Sequence, residues 1–284
     1  MGQNLTTASY IRSATLTEPP PTPAPAAPAL SIVVPTYNER TRIVELIHAV
    51  FDTFRAASLD GELVIVDDNS PDGTGAAADA CVPAYGGRLI VRHRAGKLGL
   101  GTAVMHGFLA GHAPIVGVMD ADFSHPPSLI PRLHRVLLDS GVDAVVGSRY
   151  IPGGEARNWP VGRLLLSKLA CVLARPLTPV RDATSGCFLV RRSAIDGVAI
   201  AAGGFKICLE LLVRGRVASV AEVPYVFTDR TAGTSKMTVR EAANYLTQLR
   251  QLYWVRLTGP RQRVRYVRCG TEPEPAPEGP PELR

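Results

Sequence analysis

At 284 residues, 46% hydrophobic and 20% charged, the chain can bury a large core and is too apolar to be disordered throughout. Its net charge is +6, but Thr271 to Arg284 hold four glutamates and one arginine, so the rest of the chain carries +9. Five scattered cysteines with no CxxC pair exclude a zinc knuckle or disulfide framework, and no apolar run reaches the roughly 18 residues of a membrane span.

A basic body suits a polyanionic partner: nucleic acid, an anionic membrane surface or a phosphate-bearing substrate. Charge does not choose among them. The first residues lack a charged region followed by an apolar one, so no secretory signal is expected and the thiols are expected to stay reduced. These features point to a cytoplasmic protein, soluble or peripheral on a membrane.

Residues 1–29 are polar, then rich in proline and alanine, and are expected to be a disordered arm. Leu30 to Val34 is an apolar run stopped by Pro35 and predicts a buried parallel strand. Ile43, Leu46, Ile47, Val50 and Phe54 recur at helical spacing and predict a helix over Thr41 to Ala57. Further on come strands at Leu63 to Val66, Arg88 to Arg92, Ile115 to Met119 and Ala144 to Gly147. Helices are expected near Thr74 to Ala80 and Gly101 to Gly111. Alternating strands and helices predict an α/β fold, a mostly parallel Rossmann-like sheet flanked by helices, in one domain over 30–258. Residues 259–284 read as a basic, then acidic and proline-rich tail.

In such sheets ligands bind beyond the carboxyl ends of the strands, and there the unusual residues fall. Pro35-Thr36-Tyr37-Asn38-Glu39 follows the first strand, Asp67-Asp68-Asn69-Ser70-Pro71-Asp72-Gly73-Thr74 the second, and Asp120-Ala121-Asp122 the fourth. Acidic loops gathered at one edge repel each other unless a cation sits among them, and Asp120 with Asp122 suits a Mg²⁺ or Mn²⁺ ion bridging a diphosphate. Asp72 reads as turn chemistry and Thr74 as a helix cap. Lys97 opens a glycine-rich stretch leading into a helix N-terminus, a place for an anion. Arg149, Arg163, Arg230 and Lys236 lie at the ends of successive elements and suit phosphate oxygens. Arg149, Arg230 and Lys236 are expected to act on phosphates and not on the fold. His93, His106, His125 and His134 read as structural.

The succession IVVPTYNE, IVDDNSPDGT, KLGLGTA followed by HG, MDADFSHPP, GSRY, NWP, RDATSG, GFKICLELL and RTAGTSK resembles the dolichol-phosphate mannosyltransferases, inverting family 2 glycosyltransferases of the glycosyltransferase A-type fold. The resemblance runs in order from about Leu30 to Leu257. It implies that Pro35, Tyr37, Glu39, Val66 and Asp68 cradle the nucleoside of GDP-mannose. Asp120, Ala121 and Asp122 would hold metal and diphosphate, and Ser124 occupies the position where many relatives carry a metal-ligating glutamine. Arg149 and Arg163 match positions near the acceptor phosphate, a polyprenyl or dolichyl phosphate. Lys206, Arg230 and Lys236 match positions that contact the donor diphosphate or close over it. The implied catalytic set is Asp122, Arg149 and Arg163.

A phosphate monoester, with a second pKa of about 6, is already largely dianionic at neutral pH, so no catalytic base is expected. Two basic amphipathic segments, Arg240 to Leu257 with Leu164 to Leu177 assisting, are candidates for reversible contact at the cytoplasmic face of a membrane. Packing of the same stripes on the enzyme body is the competing reading. A membrane-anchored protein partner is the other route to a lipid acceptor. Rival functions are a UDP-glucose-dependent polyprenyl-phosphate glucosyltransferase, an inactive homologue, and a nucleic-acid-binding module. The last lacks any recognition motif, and no nucleic acid is expected as partner.

Overall fold

The computed structural model describes residues 27–198, 206–228, 239–259 and 264–269. Its first half runs β1 (Leu30–Thr36), α1 (Ile43–Ala56), β2 (Gly61–Asp67), α2 (Thr74–Asp79), β3 (Leu89–His93), α3 (Leu100–Ala110) and β4 (Ile115–Val118). The second half adds α4 (Leu129–Ser140), β5 (Ala144–Ser148), β6 (Glu155–Arg157), α5 (Val161–Ala174), β7 (Phe188–Arg191) and α6 (Arg192–Ile195). It closes with α7 (Ile207–Arg214), β8 (Ser219–Pro224), β9 (Val226–Thr228), α8 (Val239–Thr258) and β10 (Arg265–Val267).

Eight strands form one sheet in the order β10-β8-β5-β7-β4-β1-β2-β3. β7 runs antiparallel to both neighbours, and the other pairs are parallel. β6 and β9 make a separate parallel pair. β10 lies within the segment read from sequence as a tail, so the sheet extends past 258. Its three residues are too few to show a period.

β1 explains why the strands read as unbroken apolar runs. Leu30, Ile32 and Val34 pack with α1 and α4 on one face, whereas Val33 packs with α3 on the other. A strand covered on both faces has no polar side to alternate with. The approach of α3 to β1 is close: a Cβ on Gly107 would lie 2.3 Å from a Val33 methyl. Only glycine fits there.

Pro35 does not end β1, which continues through Thr36. β4 pairs with β1 only as far as Val33, while β2 stays paired through Thr36. The proline therefore sits where one side of β1 has no ladder, and its missing N–H costs no sheet bond.

Glu62 is a buried charge inside β2. Burial opposes its ionisation, but hydrogen bonds from the Ser31 hydroxyl (2.6 Å), the His112 amide and the His112 ring (3.0 Å) outweigh it and lower its pKa. A lowered folded-state pKa means the unfolded chain binds the proton more tightly. The stabilisation is therefore full above the unfolded value of about 4.3 and is lost as pH falls through the folded one. Glu62→Gln should cost about 1–3 kcal/mol at pH 7, and the gap to the parent should shrink on acidification. Urea unfolding at pH 7 and pH 4 measures both; a gap that widens in acid contradicts the assignment.

Candidate active site

β4, β1 and β2 are adjacent and parallel, so their carboxyl-terminal loops open at one edge of the sheet. From β1 the chain adds β2 and β3 on one side and β4 on the other. That reversal leaves a crevice between β1 and β4. The loop after β4 turns sharply there. Phe123 adopts φ 60°, a left-handed conformation unusual for a bulky side chain. The Asp122 carboxylate accepts the Ser124 N–H at 3.0 Å, and Arg42, beyond β1, donates to the Asp122 carbonyl at 3.3 Å.

Asp120, Asp122 and Ser124 line a cleft of about 320 Å³ together with Arg149, Arg163 and Lys206. Residues spread over 87 positions of sequence thus converge, with Trp159, Phe227 and Glu241 completing the walls. Trp159 gathers the cations: the Arg163 guanidinium lies 4.1 Å from its ring centre and that of Arg149 lies 5.1 Å away. Both guanidinium groups thus lie against one aromatic ring in the cleft wall. Burial, reinforced by the nearby charge of Arg149, lowers the Lys206 pKa.

Arg149 departs from the sequence expectation. It is buried and forms a two-pronged pair with Asp182, Nε to Oδ2 and Nη2 to Oδ1, each at 2.7 Å, while its backbone N–H also reaches Asp182 at 2.9 Å. Burial opposes its charge, but the Asp182 pair outweighs burial and raises its pKa. Arg149 therefore serves the fold as well as facing the cleft. Arg230 and Lys236 lie outside the described residues.

The residues expected around the nucleoside sit beside this cleft and do not line it. Tyr37 is exposed at the end of β1, with the Lys97 ammonium 4.2 Å from its ring centre; Pro35 and Glu39 are half-buried nearby. Val66 and Ala121 are core residues, so only their backbone is offered to a ligand. The two aspartates after β2 divide their work. Asp67 takes the Thr36 and Ser70 hydroxyls and the Ser70 N–H, locking the loop. Asp68 is held by both Nε and Nη2 of Arg94, at 2.6 and 3.0 Å. Arg94 also binds the Thr102 hydroxyl and the Gly99 carbonyl, tying Asp68 to the glycine-rich loop. Asp72 is the turn residue expected, accepting the Thr74 N–H and hydroxyl; it does the capping assigned to Thr74, whose oxygen in turn receives the Glu39 N–H.

Sequence reasoning passed over Arg94, His125 and Asp182. Arg94 carried a usable signal, a cation directly after β3 at the ligand edge. His125 followed the acidic motif but was read as structural. Asp182 had no local signal, since its partner lies 33 residues away.

Two carboxylates and a hydroxyl on one cleft wall are the hard oxygen donors that Mg²⁺ or Mn²⁺ takes. Among the described residues no three His, Cys, Asp or Glu side chains converge as a closed metal cage. An open pair of this kind suits an ion whose remaining ligands are substrate phosphates and water.

The architecture is that of the glycosyltransferase A-type fold. Glucosyl-3-phosphoglycerate synthase of Mycobacterium tuberculosis, solved with Mn²⁺, UDP and glucosyl-3-phosphoglycerate, superimposes with a TM-score of 0.57 at 24% identity, covering 83% of this chain and 82% of that one. A mannosyltransferase from Pyrobaculum calidifontis, solved with GDP-Man and Mn²⁺, gives 0.59 at 18% identity over 83% and 66% of the two chains. In sequence, the glycosyl transferase family 2 pattern matches residues 31–198, and the chain belongs to that family. It is 37% identical over 227 residues to the dolichol-phosphate mannosyltransferase of Pyrococcus furiosus, 78% of this chain and 63% of that protein. The polyprenol monophosphomannose synthase of Mycolicibacterium smegmatis is 40% identical over 239 residues, 79% of this chain and 88% of the relative. The dolichol-phosphate mannosyltransferase of Saccharomyces cerevisiae is 37% identical over 235 residues, 78% and 86% of the two.

Proposed function

We propose that this chain transfers mannose from GDP-mannose to a polyprenyl or dolichyl phosphate with inversion, giving a β-linked lipid phosphate mannose. The observation that carries the reading is the cleft itself, where the Asp120 and Asp122 carboxylates meet three cations, Arg149, Arg163 and Lys206. His125 is buried, and burial lowers its pKa. The acceptor needs no base: a phosphate dianion attacks the anomeric carbon, the bond to the diphosphate oxygen breaks, and GDP departs with the electron pair. What the reaction demands is that two anionic reactants be held together. Arg163, Lys206 and Arg149 supply positive charge at the cleft, and Arg230 and Lys236 are assigned to the donor diphosphate. Tyr37, Glu39 and Asp68 are assigned to the nucleoside. Asp120 and Asp122, with Ser124 beside them, would hold a Mg²⁺ or Mn²⁺ ion that offsets the charge of the leaving diphosphate. One assay tests the reading: labelled GDP-mannose or UDP-glucose is incubated with polyprenyl phosphate and the lipid products are resolved. A glucosyl lipid, or no lipid product with an active preparation of a relative alongside, overturns it.

The acceptor's chain lies in a bilayer, and no helix among the described residues is long and apolar enough to cross one. We assign the membrane contact to α5. Val161, Leu165, Leu169 and Val172 recur at helical spacing, and each is more than half exposed, with Lys168 and Arg175 exposed alongside. α5 also borders the cleft through Arg163, Ser167 and Ala170. This reverses the weighting read from sequence. In α8, Tyr245, Leu249 and Leu252 are core residues, and the Tyr245 and Tyr253 hydroxyls bind the Ala170 and Leu173 carbonyls at 2.6 and 2.7 Å. The buried part of the α8 stripe thus belongs to the core, with two tyrosine hydroxyls tying it to α5, while Leu246 and Trp254 stay exposed. Leu165→Glu with Leu169→Glu should abolish flotation with acidic vesicles and cut activity on a long-chain acceptor about tenfold or more, given the roughly 1 kcal/mol or more lost per buried apolar group. Activity on a short, water-soluble acceptor should hold. Unchanged flotation would leave docking on a membrane-anchored protein as the account.

A further inference from the structure

His125 directly follows the acidic loop and was read from sequence as structural, yet the mechanism above leaves it unused. It is 1% exposed, and its Nδ1 has no hydrogen-bond partner among the described residues. An orphaned polar atom in a closed site costs about 1–3 kcal/mol, so it calls for a reason. The nearest acceptor of opposite charge is Asp120, whose Oδ2 lies 3.5 Å away and whose side chain is 41% exposed toward the cleft. The imidazole cannot swing elsewhere. Tyr225 lies against it at 5.3 Å between ring centres, and Phe227 meets it edge-on at 5.6 Å.

The opposite side is closed by backbone. A Cβ on Gly186 would fall 2.6 Å from Asp120 Oδ2 and 3.1 Å from His125 Cε1. Residue 186 is thus small where the carboxylate and the ring share one recess. A carboxylate can only accept, so the nitrogen facing it carries the proton.

We propose that His125 is a positioning residue for the metal-binding carboxylate: its Nδ1–H orients Asp120, within a recess that Gly186 keeps open, so that the outer oxygen faces the cation. The inference rests on the assignment of Asp120 and Asp122 to a divalent ion and adds a residue behind them. Carboxylates that ligate metals are themselves held by hydrogen bonds, and removing such a partner costs about 10–100-fold in metal affinity. Asp122 is steadied differently, by the Ser124 N–H.

The test is binding of Mn²⁺ to the full chain, followed by electron paramagnetic resonance, with and without GDP. His125→Leu keeps bulk but removes the donor and should raise the Mn²⁺ dissociation constant about 10–100-fold. His125→Asn places an N–H at the same branch as Nδ1 and should stay within about threefold of the parent, the rescue a hydrogen-bonding role requires. Gly186→Ala crowds both the carboxylate and the ring in their shared recess, and should weaken Mn²⁺ as His125→Leu does. It provides an independent arm if the leucine variant does not fold. Asp122→Asn is the reference. If it binds Mn²⁺ like the parent, the metal assignment itself fails and this inference with it. Suppose instead that Asp122→Asn loses the ion while His125→Leu and Gly186→Ala keep it: the metal site stands and the role of His125 is overturned. Equal losses in His125→Asn and His125→Leu would assign the ring to packing alone and also overturn it.

Discussion

Asp122→Asn should lower mannosyl transfer by about 10²–10³-fold while leaving the melting temperature within a degree or two. The magnitude follows from the several kcal/mol that a bound cation contributes at a developing negative charge, at about 1.4 kcal/mol per tenfold. The fold should hold because asparagine keeps a carbonyl oxygen where Asp122 accepts the Ser124 N–H, and the turn through Phe123 is set by the backbone. Steady-state transfer rates with Mg²⁺ and with Mn²⁺, alongside thermal melts, check the two halves separately. Chelation of the parent enzyme should reproduce the loss, and readdition of metal should rescue the parent but not the variant. Full activity of Asp122→Asn, or of the parent in excess chelator, would remove the cation from the mechanism.

Arg149→Ala should be the most destabilising substitution in the cleft, by about 3–5 kcal/mol. Asp182 is fully buried, and its charge is compensated by the Arg149 guanidinium on both oxygens. Removing the arginine strands that charge among Cys171, Thr184 and apolar walls. The double variant Arg149→Met, Asp182→Asn removes both charges, keeps an acceptor for the residue 149 N–H, and should recover most of the stability. It should not recover turnover, since the cleft still lacks the Arg149 guanidinium and keeps only that of Arg163 beside Trp159. Chemical unfolding of the three proteins, with transfer rates on the folded material, separates the two roles. An unchanged unfolding midpoint for Arg149→Ala would make the pair neutral to the fold. A fully active double variant would exclude Arg149 from the reaction.

The α/β class and the ligand edge were legible in the residues. Leu30 to Val34, Leu63 to Val66 and Ile115 to Met119 are apolar runs of strand length, each followed by polar residues whose chemistry does not suit a core. Local rules place β1, β2 and β3 side by side, because short crossovers bring successive parallel strands together, but β4 crosses to the far side of β1. Asp68, Asp120 and Asp122 were still placed correctly at one edge, because parallel strands share the direction of their carboxyl ends. Boundaries moved by a residue or two, and Pro35 misled because its effect depends on which neighbouring strand is present at its own level. That information belongs to the register of β4.

What only the tertiary structure decided is how side chains distant in sequence share charge and apolar surface. Arg149 read as a phosphate-binding cation with no part in the fold because nothing within a few residues pairs with it; Asp182 reaches it through the insertion of antiparallel β7 between β4 and β5. Likewise, α5 and α8 both carry apolar residues at helical spacing, and periodicity reports that a helix has an apolar face without saying what covers it. Packing on the core claimed Tyr245, Leu249 and Leu252 and left Leu165, Leu169 and Val172 outside. His125 shows the same limit at the scale of one atom. Its place after Asp120 and Asp122 is in the sequence, but whether its ring meets solvent, core or carboxylate depends on β9 and the Gly186 turn, which come from elsewhere in the chain. Local patterns determine which elements form and in what order. Long-range packing determines which face is exposed and which charge is paired, because burial and Coulomb energy depend on distance in space and not on distance along the chain.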